Sequence, residues 1–266
     1  MDFIQQAIDK ARQQRQTGSK QDEITRQSNA TSPAASAAAG QKIEYTKTRV
    51  VQLNPEQLRR ERIIAAADDD RRADSYRQLR TQILRKFREN KWHTLAITSP
   101  NSQAGKTLTA LNLAISLSLE VNQTVMLVEL DLRSPSILHK LGIDSEYGLI
   151  DVVEGKVELS QALVNPGFER LVILPNSGDT RRRSELLSSP QMGALLNDIV
   201  HRYESRLIIF DLPALLDDDD ALVFAPYADA TLLVVEDCVS KRADIERSLQ
   251  LLQGTRLLGT VLNKVR

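Results

Sequence analysis

The sequence is poor in features that would place it quickly. It has one cysteine, Cys238, in 266 residues, so no internal disulfide can form. The three histidines, His93, His139 and His201, have no ligand-like spacing to one another or to that cysteine, and no transition-metal site is expected. Cys238 is expected to be structural, behaving as a small apolar side chain. No apolar run approaches the ~18–20 residues of a membrane span. The start, MDFIQQAIDKARQQRQ, lacks the basic beginning and apolar core of a secretion signal, so the expectation is a cytoplasmic chain. Net charge is missing too, because 35 basic side chains balance 35 acidic ones. That balance argues against a globally basic nucleic-acid binder, and no nucleic-acid partner is expected.

What is present divides into three stretches. Residues 27 to 41, QSNATSPAASAAAGQ, are small and polar and cannot bury enough surface to offset the entropy of ordering. Before them, Phe3, Ile4, Ala7, Ile8 and Ala11 recur at helical spacing with Gln, Lys and Arg opposite. The expected organisation is an amphipathic helix within residues 1–26, a flexible linker over 27–55, and one domain over 56–266 that includes a helix at 72–90. A lone short helix is marginal in water, so docking on a partner or on its own domain and simple fraying both stay open.

From Pro55 to Lys91 the pattern is helical and charged, with Arg77, Arg80, Arg85, Lys86, Arg88 and Lys91 against Glu89 alone over residues 76–91. A solvated helix face accounts for most such runs. Asp74, Arg77 and Arg80, however, stand at steps of three on one side of a helix, where they can pair with acids of a neighbouring subunit.

After Trp92 short apolar runs alternate with helical segments: TLAIT (94–98), TVMLVE (124–129), LVILP (171–175), RLIIFD (206–211), ATLLVV (230–235) and LLGTVLN (257–263). Continuous apolar runs suit strands buried on both faces, and intervening helices imply right-handed crossovers. The expected fold is α/β: a doubly wound, mostly parallel sheet in three α/β/α layers. Its ligand belongs at the carboxyl ends of the strands.

The run ITSPNSQAGKTLTALNLAISLSL reads as strand, loop and helix, with Gly105, Lys106 and Thr107 at the turn into the helix. Amides at a helix N-terminus, a lysine for the terminal phosphates and a hydroxyl for Mg²⁺ are what a nucleoside triphosphate needs. Pro100 stands where the full phosphate-loop pattern has its first glycine, so the tripeptide alone is a weak signal. Its context raises it, because Glu129 and Asp131 end one predicted strand and Asp211 ends another, where a carboxylate commonly supports the metal.

Taken together, SYRQLRTQI (75–83), TSPNSQAGKT (98–107), VELDLRSP (128–135), YGLIDVVEG (147–155), SELLSS (184–189), FDLPALLDDDDALVFAPYAD (210–229) and GTVLNKV (259–265) resemble, in order, the bacterial tyrosine kinases of polysaccharide export. These are P-loop proteins related to partition-type ATPases. The resemblance implies an ATP- and Mg²⁺-dependent protein-tyrosine kinase of exopolysaccharide or capsule assembly. It implies that the amides of Ala104, Gly105, Lys106, Thr107 and Leu108 hold ATP, that Thr107, Asp131 and Asp211 support Mg²⁺, and that Asn263 lies near the adenine. Lys106, Glu129, Asp131 and Asp211 are the implied catalytic set, with an acid near Glu129 or Asp131 orienting the tyrosine hydroxyl. Asp74, Arg77 and Arg80 match a subunit contact with Asp in place of Glu, implying a homo-oligomer. The further partners implied are a membrane chain-length determinant, which holds the cytoplasmic chain at the inner face of the membrane, and a protein-tyrosine phosphatase. Asp220 matches an acid of the pattern, while the run Asp217 to Asp219 is equally explained as charge at a helix N-terminus.

Three departures stand beside the matches. Ser102 and Gln103 replace the Pro-Gly of the family's loop, so the backbone there is less free to adopt positive φ. Glu129 replaces an aspartate. No tyrosine-rich stretch follows the last strand; the tyrosines are Tyr45, Tyr76, Tyr147, Tyr203 and Tyr227, of which Tyr45 falls by the linker. A nucleotide-binding regulator or scaffold of the same export machinery is the first alternative. A partition-like ATPase is the second, disfavoured because Asn101 stands where that branch places an early lysine.

Overall fold

A computed structural model describes residues 48–67, 70–177, 186, 189–202, 206–217 and 219–265. The chain divides into two units, Met1–Ala38 and Ala39–Arg266. The first unit, and with it the helix expected within 1–26, lies outside the described residues, as do Tyr45, Tyr203, Asp218 and most of SELLSS.

The second unit is built on a sheet of eight strands: β1 (Arg49–Val50), β2 (Thr94–Thr98), β3 (Thr124–Glu129), β4 (Val164–Asn165), β5 (Leu171–Leu174), β6 (Arg206–Asp211), β7 (Ala230–Glu236) and β8 (Leu257–Asn263). Their order is β1-β4-β5-β3-β6-β2-β7-β8. The six long strands run parallel, and β4 joins β5 antiparallel, carrying the short β1 with it. The expected doubly wound, mostly parallel architecture is the observed one, with strand limits close to the apolar runs.

Side-chain alternation explains the layers. Leu95 and Ile97 of β2, Val125 and Leu127 of β3, and Leu207 and Ile209 of β6 enter one core. Their neighbours Ala96, Met126, Val128, Ile208 and Phe210 enter another. Because both faces are covered, neither face needs polar residues, which is why these strands read as unbroken apolar runs. Strand β8 departs from that reading. It lies at the edge of the sheet, and Leu257 and Leu262 are exposed although its sequence is as apolar as the rest.

Nine α-helices and one short 3-10 helix (Ala225–Tyr227) are found among the described residues. Helix α1 (Pro55–Arg60) starts with Asn54 as N-cap, whose side chain accepts from the Glu56 amide at 2.9 Å, and with proline in the first turn. The helical pattern that looked continuous from Pro55 to Lys91 breaks after α1 and resumes in α2 (Ala73–Asn90). Between them Ile63 and Ala65 are buried, and the Ile64 and Ala65 amides donate to the Asn112 side chain at 2.8 and 2.9 Å. A side chain on another helix thus replaces the intrahelical acceptors, and tertiary structure overrides local propensity.

Helix α3 (Lys106–Ser118) is buried at every position except Leu108. It is apolar almost all round, as a helix enclosed by its neighbours must be. Helices α4 (Ile137–Leu141), α5 (Leu149–Val153), α6 (Leu159–Ala162), α7 (Pro190–Arg202), α8 (Asp220–Phe224) and α9 (Arg242–Leu251) complete the set. Among the described residues no helix is long and apolar enough to cross a membrane. Cys238 is not packed inside; it is exposed, in a turn at φ 59°.

Candidate nucleotide site

Strands β2, β3 and β6 end side by side, and their loops bring together the predicted site residues. The loop after β2 turns into α3 through Gly105, which takes φ 95°. A Cβ at that position would lie 2.1 Å from Nδ2 of Asn263, so glycine is required twice, by its dihedral and by its neighbour. Gln103 also adopts positive φ, 64°. The freedom expected to be lost at this position is therefore not lost; the loop takes the left-handed turn with a side chain in place, at a cost of roughly 1–2 kcal/mol. Amides of a helix's first turn have no intrahelical acceptor, and those of α3 are the donors a phosphate requires.

Lys106 and Thr107 are buried at the start of α3. The Lys106 ammonium donates to Oδ2 of Asp131 at 2.5 Å and to Oγ1 of Thr107 at 3.4 Å. Burial alone would depress the ammonium, but the carboxylates of Asp211 and Asp131 outweigh it and hold the lysine above its ordinary range. The other oxygen of Asp131 accepts from the Ser134 amide at 3.0 Å, so one carboxylate ties the lysine to the loop after β3.

Asp211 is fully buried, and neither carboxylate oxygen meets a donor at hydrogen-bond geometry. Burial pushes it up to about 6, against the opposing pull of the Lys106 charge. A buried carboxylate without a hydrogen bond is costly unless a ligand supplies what the protein does not. No group of three or more His, Cys, Asp or Glu able to hold a metal occurs among the described residues. The donor set therefore does not form an all-protein cage. It fits Mg²⁺, which is bound through one or two protein oxygens and completed by water and phosphate.

Glu129 ends β3 opposite Asp211 in the register of β6. Its Oε1 accepts from the amides of Ser136 at 2.6 Å and Ile137 at 2.9 Å, and its Oε2 from Asn176 at 3.0 Å. Burial pushes this acid up to about 7 although the three amides oppose the rise. Its carboxylate thus joins the start of α4 to the segment leaving β5. The longer side chain reaches amides from two segments instead of simply replacing aspartate at the strand end.

Asn263 sits on the phosphate loop itself, its side-chain amide donating to the Ala104 carbonyl at 2.9 Å. Two tethers on that loop were not apparent in the sequence. The Ser102 amide donates to Asp217 at 2.9 Å, and the Asn101 side chain to Asp244 at 3.0 Å. Asp217 therefore fixes the loop instead of lying free at a helix end, and the Asp219 side chain makes no capping bond to α8. Arg133 approaches Asp220 at 3.7 Å. Asparagine and aspartate are common enough that no spacing rule links positions more than a hundred residues apart.

The expected subunit-contact residues lie on α2. Asp74 and Arg77 pair with each other at 2.5 Å. Arg80 is turned inward, donating to the Ser116 carbonyl at 2.9 Å and pairing with Glu120 at 3.0 Å.

No family model matches the chain. It is 28% identical over 193 residues to the tyrosine-protein kinase YwqD of Bacillus subtilis, covering 72% of this chain and 80% of that one. It is 28% identical over 208 residues to the succinoglycan biosynthesis transport protein ExoP of Rhizobium meliloti, but this spans only 26% of ExoP. The kinase domain of the Escherichia coli tyrosine kinase Etk superposes with TM-score 0.69 at 25% identity, over 76% of this chain and 80% of that domain. With the phosphate loop, the buried lysine and the acidic strand ends in place, the chain is similar in sequence and fold to the bacterial tyrosine kinases.

Proposed function

We propose that this protein is an ATP-dependent protein-tyrosine kinase of capsule or exopolysaccharide biosynthesis. The observation that carries the reading is the juxtaposition of a buried lysine at the N-terminus of α3, paired with Asp131, and the buried, unsatisfied carboxylate of Asp211. That arrangement combines donors for phosphate oxygens with acceptors for a hard cation. The relatives supply the reaction, since YwqD is a tyrosine-protein kinase and ExoP is a succinoglycan biosynthesis transport protein.

In this reading the amides from Ala104 to Leu108 orient the phosphates and Lys106 contacts the terminal ones. Asp131 holds Lys106 until nucleotide arrives and then frees it. Thr107, Asp131 and Asp211 would hold Mg²⁺, which supplies charge neutralisation for the transferring phosphoryl group. Asn263 fixes the loop from the side of the last strand, where it also borders the nucleotide base. Glu129 belongs to the catalytic set of this reading, and its acceptance of three amides supports a role in positioning the loop that carries Asp131.

The same reading gives the chain a homo-oligomer in which Asp74 and Arg77 face a neighbour, a membrane-bound chain-length partner that recruits it, and a phosphatase that reverses its product. Purified protein incubated with Mg²⁺ and ATP is expected to form phosphotyrosine, and Lys106→Ala is expected to abolish it. Phosphate release without phosphotyrosine on the chain or on an added tyrosine copolymer would replace the kinase with a regulatory nucleotide-binding scaffold.

A further inference from the structure

Resting on the proposed reading of the nucleotide site, we infer that Asp217 is a positioning residue for nucleotide binding. Its bond to the Ser102 amide, with the Asn101–Asp244 contact beside it, holds the phosphate loop in the shape that a Pro-Gly pair would otherwise impose. Three observations carry this inference. The first is strain at the centre of the loop. Gln103 takes φ 64°, and from Pro100 to Lys106 it is the one residue other than glycine with positive φ. An L side chain adopts that conformation only where its surroundings enforce it. The amides from Ala104 to Leu108 follow without a break, so a change at Gln103 displaces the donors intended for phosphate.

The second is the bracket around the strained residue. Upstream, the Ser102 amide donates to Oδ2 of Asp217 at 2.9 Å and the Asn101 side chain to Oδ2 of Asp244 at 3.0 Å. Downstream, the Asn263 side chain donates to the Ala104 carbonyl at 2.9 Å. Gln103 is thus fixed on both sides by three separate elements: the segment after β6, helix α9 and strand β8. A strained torsion persists where the structure over-determines it in this way. Of the three anchors, Asp217 alone grips the backbone next to Gln103 through an N–H, and so fixes the plane of the peptide joining Asn101 to Ser102.

The third is the run of contacts that Asp217 completes. The Thr98 hydroxyl donates to the Pro213 carbonyl at 2.7 Å, and the Leu215 and Leu216 amides donate to the Ser99 and Pro100 carbonyls at 2.9 and 3.0 Å. Where this backbone pairing ends, the side chain of the next residue, Asp217, takes it over. The same segment starts from Asp211, so one short stretch of chain links the phosphate loop to the carboxylate proposed for Mg²⁺. Proline at position 102 has no amide to donate, and glycine at 103 takes positive φ without strain. With Ser102 and Gln103 in their place, the loop has both a strained torsion and a free amide, and Asp217 accepts from that amide. Its negative charge opposes nucleotide phosphates, so its contribution is the hydrogen bond and not the charge.

The test is titration of the full chain with ADP, once with Mg²⁺ and once with EDTA, beside amide hydrogen exchange of the nucleotide-free protein. Asp217→Ala is expected to weaken ADP binding by about tenfold in both conditions and to speed exchange of the Ser102 amide. Asp217→Asn keeps an acceptor oxygen and is expected to bind ADP within about threefold of the wild type. In a Ser102→Pro, Gln103→Gly background no amide remains to be held, and Asp217→Ala is expected to change affinity by less than about twofold. ADP binding unaffected by Asp217→Ala overturns the inference. So does an equal loss in Asp217→Asn, which would assign the effect to charge, or a loss confined to Mg²⁺, which would make Asp217 a cation ligand. A tenfold loss that persists in the Pro-Gly background also overturns it. A wild type that binds neither ADP nor ATP overturns the nucleotide reading, and this inference with it.

Discussion

Lys106 and Asp131 form a buried ion pair at 2.5 Å across the gap between the phosphate loop and the end of β3. Each side chain is only 9% exposed, so each is the other's main compensation for leaving water. In the proposed kinase, nucleotide entry exchanges this contact for one between lysine and phosphate.

Lys106→Met removes the cation from a site that contains Asp131, Asp211 and Glu129. Loss of one partner of a buried pair costs about 3–5 kcal/mol, and the nucleotide-free variant is expected to melt well below the wild type. Thermal denaturation checks this without any activity assay. A variant as stable as the wild type would show that the pair is solvated.

Gly105→Ala is expected to destabilise the protein and eliminate nucleotide binding. The positive φ contributes roughly 1–2 kcal/mol of the loss, and the contact with Asn263 adds to it. Adding Asn263→Ala is expected to recover the steric part alone, so the double variant should be more stable than Gly105→Ala and still unable to bind ATP. Chemical denaturation and nucleotide titration measure the two effects separately.

Stability should fall as pH rises through the range where the buried acids ionise. Glu129 has its folded value raised from 4.5 to about 7 and Asp211 from 3.8 to about 6. A raised folded value means that the folded state binds the proton more tightly than the unfolded state. The contribution is therefore fully present below the unfolded values and is lost on passing through the folded ones. Denaturant midpoints are expected to decline between about pH 4 and pH 7 and to level off above, with Asp211→Asn flattening the lower part of the slope. A wild-type profile that rises over this window contradicts the assignment.

Gly148→Ala introduces a methyl group against two backbone atoms and is expected to cost about 1–3 kcal/mol, as overpacking does. Gly155→Ala is a useful control for the added methyl, because a Cβ there would have nothing within 4 Å; its φ of 69° supplies only backbone strain. Comparison of the two melting curves separates crowding from dihedral cost.

Arg80→Ala is expected to lower the stability of the isolated subunit by about 1–3 kcal/mol, since it removes a charged donor from the Ser116 carbonyl as well as the pair with Glu120. Asp74→Ala and Arg77→Ala, which break an exposed pair, are expected to leave subunit stability within about 1 kcal/mol and to change only self-association. Sedimentation velocity beside thermal melts distinguishes the two classes.

Much of this architecture could be read before any coordinates. The six long strands were legible because a strand buried on both faces needs apolar side chains at consecutive positions, and the acids at their ends interrupt those runs visibly. Gly105, Lys106 and Thr107 were legible because phosphate chemistry restricts residue type at adjacent positions. The edge location of β8 was not, because composition does not reveal which neighbour is missing. The helix expected at 72–90 is found at Ala73–Asn90, but the buried segment before it was not legible, since it depends on Asn112 accepting two amides from a distant segment. Asp217 and Asp244 act through single hydrogen bonds across folded space, and Gln103 takes a conformation that its residue type disfavours. Glu129 shows the same limit at a recognised motif: sequence marked its position, and only geometry showed that its carboxylate is already occupied by amides.

Helix α3 links the phosphate loop to the outer layer. Its first turn follows Gly105 of the phosphate loop, while its far end holds Arg80 of α2 through the Ser116 carbonyl, and the turns between are enclosed by tightly packed side chains. Close-packed interiors do not absorb a displacement locally. A small axial shift of this helix would therefore reappear at the surface of α2, the helix that carries Asp74 and Arg77.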